Sequence, residues 1–190
     1  MRRIVVSTYV TLDGVVEAPH TWPFRANRDQ VEANFVRDLL LDSDALIMGR
    51  ETYEVFAPAW SSRTAADDEP GSEGFIDRIN SLPKYVASTT LTEPLEWNAE
   101  LISGDVAAEV AKLKAQPGKT ILMYGCGPVA NLLMQHDLVD ELHLWVYPIV
   151  MDTGARFFTD ARTFPPLKLI DTTVFASGIV VLNYKPGPAK

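Results

Sequence analysis

The sequence predicts an α/β fold: a single three-layer domain around a mostly parallel sheet, with an antiparallel hairpin at its C-terminal end. Three observations carry this expectation. Short β-branched apolar runs alternate with segments whose apolar residues recur at helical spacing, the pattern of right-handed crossovers between parallel strands. The last two strand-like runs are joined only by Ala176-Ser177-Gly178, a short Gly-containing link that reads as a hairpin. A length of 190 residues suits one well-cored domain spanning 1–190 and is short for two.

The elements follow in order. Ile4 to Tyr9 is β-branched and aromatic on both faces, as in a strand covered on both sides. Asn27 stands three residues before Gln30, a variant of the capping box, and Val31, Phe35, Val36, Leu39 and Leu40 then recur at helical spacing. Ala45 to Met48 is a second apolar run, leading into Gly49-Arg50-Glu51-Thr52-Tyr53 and a short helix expected to stop near Pro58. Residues 57–74 are loop-like, mostly polar and acidic. Phe75, Ile76, Ile79 and Leu82 suggest a further helical turn or two, closed by Pro83. Lys84 to Ser88 reads as the third strand, and a short fourth lies near Leu101-Ile102-Ser103. Val106, Val110 and Leu113 mark a helix stopped by Pro117-Gly118. Glu141 to Tyr147, Leu167 to Phe175 and Gly178 to Tyr184 are the remaining strands, and no internal repeat or low-complexity segment interrupts the chain.

Composition excludes several function classes. Hydrophobic residues at 47% and charged residues at 22% are ordinary for a globular protein. A net charge of −8 argues against nucleic acid as a partner, since phosphate neutralisation needs a basic face. No window approaches the ~20 uninterrupted apolar residues of a membrane helix, so no membrane partner is expected. Met1 to Tyr9 carries two arginines but an apolar run of only three residues, and reads as a first strand and not a signal peptide. The single cysteine, Cys126, rules out an intramolecular disulfide and fits a reducing compartment; a cytoplasmic location is the expectation. His20, His136 and His143 have no close ligand spacing with one another or with Cys126, so no metal site is expected. Neither a G-x-S-x-G elbow nor a G-x-x-x-x-G-K-[ST] loop is present.

The most informative stretch is Thr120 to Ala130. An apolar strand ends at Tyr124, Gly125 and Gly127 flank Cys126, and Pro128 opens a segment with Val129, Leu132 and Leu133 at helical spacing. Glycines at such a turn let a ligand approach the backbone, and the first helical turn offers N–H groups to an anion. Proline fits the first helical position because its missing N–H would lack an intrahelical partner anyway. Gly125, Gly127 and Ala130 fall on the G-x-G-x-x-G/A spacing that cradles a dinucleotide pyrophosphate, although glycine at a strand-to-helix turn can also serve sterics alone.

Three further clusters lie where an open α/β sheet places its ligands, beyond the C-terminal ends of strands. Gly49-Arg50-Glu51-Thr52 offers close approach, a guanidinium fork for phosphate and a first-turn hydroxyl; the plainer alternative is a surface arginine and an ordinary helix start. Ser88-Thr89-Thr90 could hold a ribose or its phosphate, or serve only as turn chemistry. The loop Thr11 to Pro23 is too rich in apolar and aromatic residues to be only a solvated connection, with Trp22 either at a site or in the core.

Taken in order, Thr11-Leu-Asp-Gly14, Leu46-Ile-Met-Gly-Arg-Glu-Thr-Tyr53, Tyr124-Gly-Cys-Gly-Pro128 and Leu138-Val-Asp-Glu-Leu142 resemble the dihydrofolate-reductase-like superfamily. The branch they resemble most is the stand-alone relatives of the reductase domain of the bifunctional riboflavin-biosynthesis deaminase-reductase. The resemblance covers almost the whole chain and implies an eight-stranded, mostly parallel sheet with NADPH as hydride donor. It would set Gly49, Arg50 and Thr52 against the 2′-phosphate and pyrophosphate, and Ser88, Thr89 and Thr90 near the adenosine ribose. Gly125, Cys126, Gly127, Pro128, Val129 and Ala130 would line the pyrophosphate. Val15 and Val16 would lie at the nicotinamide end, with Asp13 anchoring the loop and Trp22 at the substrate mouth. Outside the resemblance, Tyr124 and Tyr9 could supply phenolic hydrogen bonds to a substrate or simply pack.

The substrate side departs from the pattern. Dihydrofolate reductases carry an acid on the first helix that binds the pterin; counting from Trp22 lands on Asn27 and from Phe35 on Val31, neither of which ionises. Asp29 sits elsewhere on the helix and Glu32 is a residue off. The riboflavin reductases usually have a glutamate before the glycine pair, where this chain has Tyr124. The expectation is therefore an NADPH-dependent reductase of a small heteroaromatic compound, pterin-like or ribosylamino-pyrimidine-like, forming a homodimer. The alternative is a nucleotide-binding protein of the same fold without turnover. A classical Rossmann dehydrogenase fits less well, because the glycine motif falls two-thirds along the chain.

Overall fold

Alternation along the central strands decides the architecture. In the strand Arg3–Thr11 (β1), Ile4 and Val6 enter one apolar cluster while Val5 enters another on the opposite side. The strands Ser43–Gly49 (β2) and Thr120–Tyr124 (β5) do the same, with Ala45, Ile47, Ile121 and Met123 on the first side and Leu46, Met48 and Leu122 on the second. Strands apolar on both faces must be covered on both faces, which is why helices flank this sheet on two sides. The computed structural model describes residues 1–24, 30–158 and 165–187. Asn27 and Asp29, weighed above, lie outside the described residues.

The remaining strands are Lys84–Ala87 (β3), Ala99–Ile102 (β4), Glu141–Tyr147 (β6), Leu167–Val174 (β7) and Val180–Pro186 (β8). They form one eight-stranded sheet in the order β4-β3-β2-β5-β1-β6-β8-β7. All pairings from β4 to β6 are parallel, and β6–β8 and β7–β8 are antiparallel, so the predicted sheet and closing hairpin are both borne out. The helices Gln30–Leu41 (α1), Arg50–Trp60 (α2) and Phe75–Ser81 (α3) send Leu40, Tyr53, Ala57, Phe75, Ile76 and Ile79 into the second cluster. Val106–Ala115 (α4) and Pro128–Gln135 (α5) send Val110, Ala130, Leu133 and Met134 into the first. Each fully buried Leu, Ile or Val contributes about 1.5–3 kcal/mol.

The structure adjusts two expectations about helices. Helix α2 does not stop near Pro58 but carries it inside and runs on to Trp60. Pro58 lacks one N–H so close to the end that few hydrogen bonds are lost, and the Ser61 N–H closes the last turn on the Ala57 carbonyl at 3.0 Å. Val31, placed on the apolar stripe of α1, is 64% exposed, because the buried face instead takes Glu32, Ala33 and Leu40. Helix α4 opens on a side-chain cap that was not read from the sequence, with the Asp105 carboxylate accepting from the Ala108 N–H at 3.0 Å.

A third cluster sits over β6 and β8. Trp145, Phe175, Ile179, Val181, Trp22 and Tyr147 pack together with Tyr9, Phe24 and Phe35 around them. Trp145 and Phe175 stack at 5.6 Å, Phe35 meets both edge-on, and the Trp145 indole N–H donates to Ser7 Oγ at 3.0 Å. This aromatic wedge packs the middle of α1 and the hairpin against the same part of the sheet. Among the described residues no helix is long and apolar enough to cross a membrane, and no three His, Cys, Asp or Glu side chains gather as metal ligands.

Candidate functional site

Strands β2 and β5 are neighbours, yet their following helices leave on opposite faces: α2 toward the second cluster, α5 toward the first. A crevice opens at the C-terminal ends of two such strands, the topological switch point where open α/β sheets bind ligands. Both helices there begin with a glycine. Gly49 precedes α2 and Gly127 precedes α5, and neither helix start is closed by a side-chain cap. Uncapped first-turn N–H groups leave both ends electropositive.

The two junctions touch. A Cβ on Gly49 would lie 3.4 Å from Val129 Cγ2, and one on Gly125 only 3.0 Å from Thr52 Oγ1. Gly125 adopts φ 80° while its N–H donates to the Ser7 carbonyl at 3.1 Å. Gly127, at φ 116° and ψ −150°, occupies a region open essentially to glycine alone. Pro128 takes the first helical position, and Ala130 is fully buried beneath the turn, where a small side chain lets α5 sit close on the sheet. Between the glycines, burial pushes the Cys126 thiol up to about 11, against a hydrogen bond with Thr8 that lowers it. Such a thiol is inert near neutral pH.

Register brings the next cluster alongside. Gly49 pairs with Ala87, so Arg50 and Ser88 follow side by side at the ends of β2 and β3. Ser88 Oγ accepts from the N–H groups of Thr90 and Leu91 at 3.1 and 3.0 Å, closing a turn that presents exposed Thr89 and Thr90. Arg50 is held within its own helix: Nη1 lies 2.8 Å from Glu54 Oε2 and Nη2 lies 3.7 Å from Glu51 Oε1.

The loop after β1 is fastened to the segment after β6. Asp13 Oδ1 accepts from the Thr11 hydroxyl at 2.6 Å and the Met151 N–H at 3.1 Å, and Oδ2 from the Asp152 N–H at 2.9 Å. The Thr11 hydroxyl above all, with these N–H groups, holds the Asp13 carboxyl down at about 2. Arg156 adds a bond to the Asp13 carbonyl and an ion pair to its carboxylate at 3.5 Å. Val15 bridges Arg156 and is 1% exposed, while the Val16 N–H donates to the Ala155 carbonyl at 2.9 Å. Asp13 thus sits as a loop anchor, and Val15 turns its side chain inward toward Gly154.

Of the two residues expected on the substrate side, Trp22 packs inward and Tyr124 stands at the end of β5 beside the crevice. Trp22 is 3% exposed, with its ring edge-on to Tyr147 at 5.3 Å and its N–H on the Glu17 carbonyl at 2.9 Å; it forms a wall and does not reach outward. Tyr124 is half-buried at the end of β5, its ring 5.7 Å from Phe56 of α2. Glu32, the acid a residue off on α1, is buried, and its Oε2 accepts from Ser177 Oγ of the β7–β8 hairpin at 3.0 Å. Three site neighbours were not anticipated from the sequence. Glu54 was legible as the i+4 partner of Arg50. Phe56 and Arg156 carry no local signal, the latter acting on a residue 143 positions away.

The arrangement can be compared with known proteins. The uncharacterized protein YyaP of Bacillus subtilis is 31% identical over 184 residues, covering 96% of this chain and 94% of its own. YwjB of the same organism is 24% identical over 186 residues, covering 94% and 95%. Among solved structures, a putative riboflavin biosynthesis protein from Shewanella sp. PV-4 superposes with a TM-score of 0.70 at 24% identity, covering 99% of this chain and all of its own. A pyrimidine reductase-like protein from Corynebacterium diphtheriae gives 0.63 at 15% identity, over 98% and 92%. A diaminohydroxyphosphoribosylaminopyrimidine deaminase/5-amino-6-(5-phosphoribosylamino)uracil reductase from Thermotoga maritima gives 0.62 at 14%, over 98% of this chain but 57% of that longer one. These structural likenesses describe the fold. The sequence pattern of one family matches from residue 2 to residue 181, and the chain belongs to that family, the RibD C-terminal domain family.

Proposed function

We propose that the protein is an NADPH-dependent reductase of a small heteroaromatic compound, pterin-like or ribosylamino-pyrimidine-like. The observation that carries this reading is the contact between two glycine-started helices at the β2–β5 switch point, in a chain belonging to a family of reductase domains. Bound NADPH would supply a hydride from nicotinamide C4 to a C=N or C=O carbon of the substrate. The residues suit such a group: Gly125 and Gly127 leave the backbone approachable, and the uncapped first-turn N–H groups at Val129 and Ala130 would be available to a pyrophosphate. Arg50, Thr52, Ser88, Thr89 and Thr90 would meet the adenosine ribose and its 2′-phosphate. The Asp13-anchored loop would shape the nicotinamide end through Val15 and Val16. Tyr124 and Phe56 would border the substrate, whose proton would come from water or the Tyr124 phenol. Rate would arise mainly from holding donor and acceptor in apposition.

The test is calorimetric titration with NADPH, followed by loss of reduced-nicotinamide absorbance with a panel of pterins and aminopyrimidines. Binding without oxidation by any acceptor would favour the second reading, a nucleotide-binding protein without turnover. One observation supports that alternative: Glu32 is directed to Ser177 and Asp13 to its loop, so neither carboxylate is directed to a substrate. We further propose a homodimer built on the edge strand β7, where Leu169, Ile170 and Val174 stand 48%, 52% and 69% exposed. Edges of this kind need covering. Light scattering at micromolar concentration giving the 21.0 kDa monomer mass would refute the dimer.

A further inference from the structure

We infer that Glu54 sets how strongly the protein distinguishes NADPH from NADH, by competing with the 2′-phosphate for Arg50; this rests on the nucleotide-binding reading above. Arg50 is the only Lys or Arg between Ala45 and Trp60, and none occurs from Val86 to Gly104. The same two segments hold Glu51, Glu54, Glu93, Glu96 and Glu100. These two segments, which flank Gly49 and Ser88, therefore supply one cation and five carboxylates, and recognition of a dianionic phosphate by Arg50 depends on what that cation is doing.

Glu54 lies one helical turn beyond Arg50, and the 2.8 Å bond folds the guanidinium back along α2, away from the Gly49–Ser88 edge. Arg50 is also the first residue of its helix, at the positive end of the helix dipole, where a cation is disfavoured. The carboxylates of Glu51 and Glu54 offset that position in the free protein. A phosphate arriving at Ser88 to Thr90 must draw Arg50 off Glu54, leave that carboxylate unpaired, and accept its charge nearby. A nucleotide without the 2′-phosphate makes no such demand. Both side chains are more than 40% exposed, so the exchange is open to solvent and needs no rearrangement of the core.

The experiment is calorimetric titration of wild type, Glu54→Gln, Arg50→Ala and the double variant with NADPH and with NADH, at low and high salt. Glu54→Gln should tighten NADPH by about three- to ten-fold and leave NADH within about two-fold. The gain should shrink as salt is raised, because the groups are exposed, and should largely vanish when Arg50 is already alanine. An unchanged NADPH affinity in Glu54→Gln, or an equal change for both nucleotides, overturns the role of Glu54 while leaving the reductase reading standing. Wild type that binds neither nucleotide below millimolar overturns both. The melting temperature of each ligand-free variant should match wild type within a few degrees, since only exposed atoms change.

Discussion

Lys84 gives this fold a contribution to stability that rises with pH above about 8. The residue opens β3 and is fully buried. Its Nζ donates to the carbonyls of Leu82 at 2.6 Å and Asn80 at 3.0 Å, finishing the C-terminal end of α3, and lies 4.3 Å from the centre of the Trp97 ring. Burial pulls its pKa down from 10.5 to about 8. Between those two values the unfolded chain holds the proton and the folded one has released it. The contribution of Lys84 to stability must then increase with pH across the window, by at most about 3.5 kcal/mol at roughly 1.4 kcal/mol per tenfold change in proton affinity. The two carbonyls and the aromatic face favour the ammonium, so the observed gain should fall short of that bound. Cys126 acts oppositely: raised from 9.0 to about 11, it contributes stability below 9 that is lost as pH climbs through 11. The assay is urea unfolding of wild type, Lys84→Met and Cys126→Ala from about pH 7 to about pH 10.5. The advantage of wild type over Lys84→Met should grow steadily above about pH 8. A difference that stays flat with pH would refute the reasoning.

Gly127→Ala should weaken NADPH and destabilise the fold by about 1–3 kcal/mol, because alanine strains at Gly127's backbone angles; denaturant midpoints and titration check both. Cys126 should alkylate far more slowly than a free thiol near neutral pH, the raised pKa leaving little thiolate; a rate matching a model thiol would contradict the burial seen here. Asp13→Asn should speed hydrogen exchange at Val15, Val16 and Ala155 without unfolding the sheet. The Asp13 contribution should be present above about pH 4 and lost as pH falls toward 2. Dihydrofolate should be a poor substrate, since the buried acid of α1 serves Ser177; turnover near ~10 per second would sink that expectation.

The sheet was legible because its inner strands are apolar on both faces and separated by helix-length segments, so period and order could be read residue by residue. The hairpin was legible from the short Ala176-Ser177-Gly178 stretch, which lies within the five-residue link between β7 and β8. Pro58 misled because a proline near a helix end removes little, and Val31 misled because α1 buries a carboxylate in its place. The glycine turn before α5 is a local device and could be seen locally. Trp22 could not be oriented from sequence: its inward packing depends on Tyr147, far along the chain. The same holds for Asp13, whose partners at Met151, Asp152 and Arg156 come from the segment after the neighbouring strand β6, far along the chain. Arg50 was read as free to meet a phosphate, although its i+4 partner stood in plain view.

The contact between the two strand-to-helix junctions also governs how this groove can be redesigned. Gly49 has an ordinary backbone, φ −83°, and only Val129 limits what can stand there; alanine or serine at 49 should be accommodated once 129 is trimmed to alanine. Gly125 is bound twice over, by its positive φ and by the Thr52 hydroxyl, 3.0 Å from where a Cβ would stand, so shortening Thr52 frees the space without freeing the backbone. A mutant library that varies 49 and 129 together should return folded members with altered nucleotide choice. One that varies 52 and 125 together should return glycine, or at most asparagine, at 125.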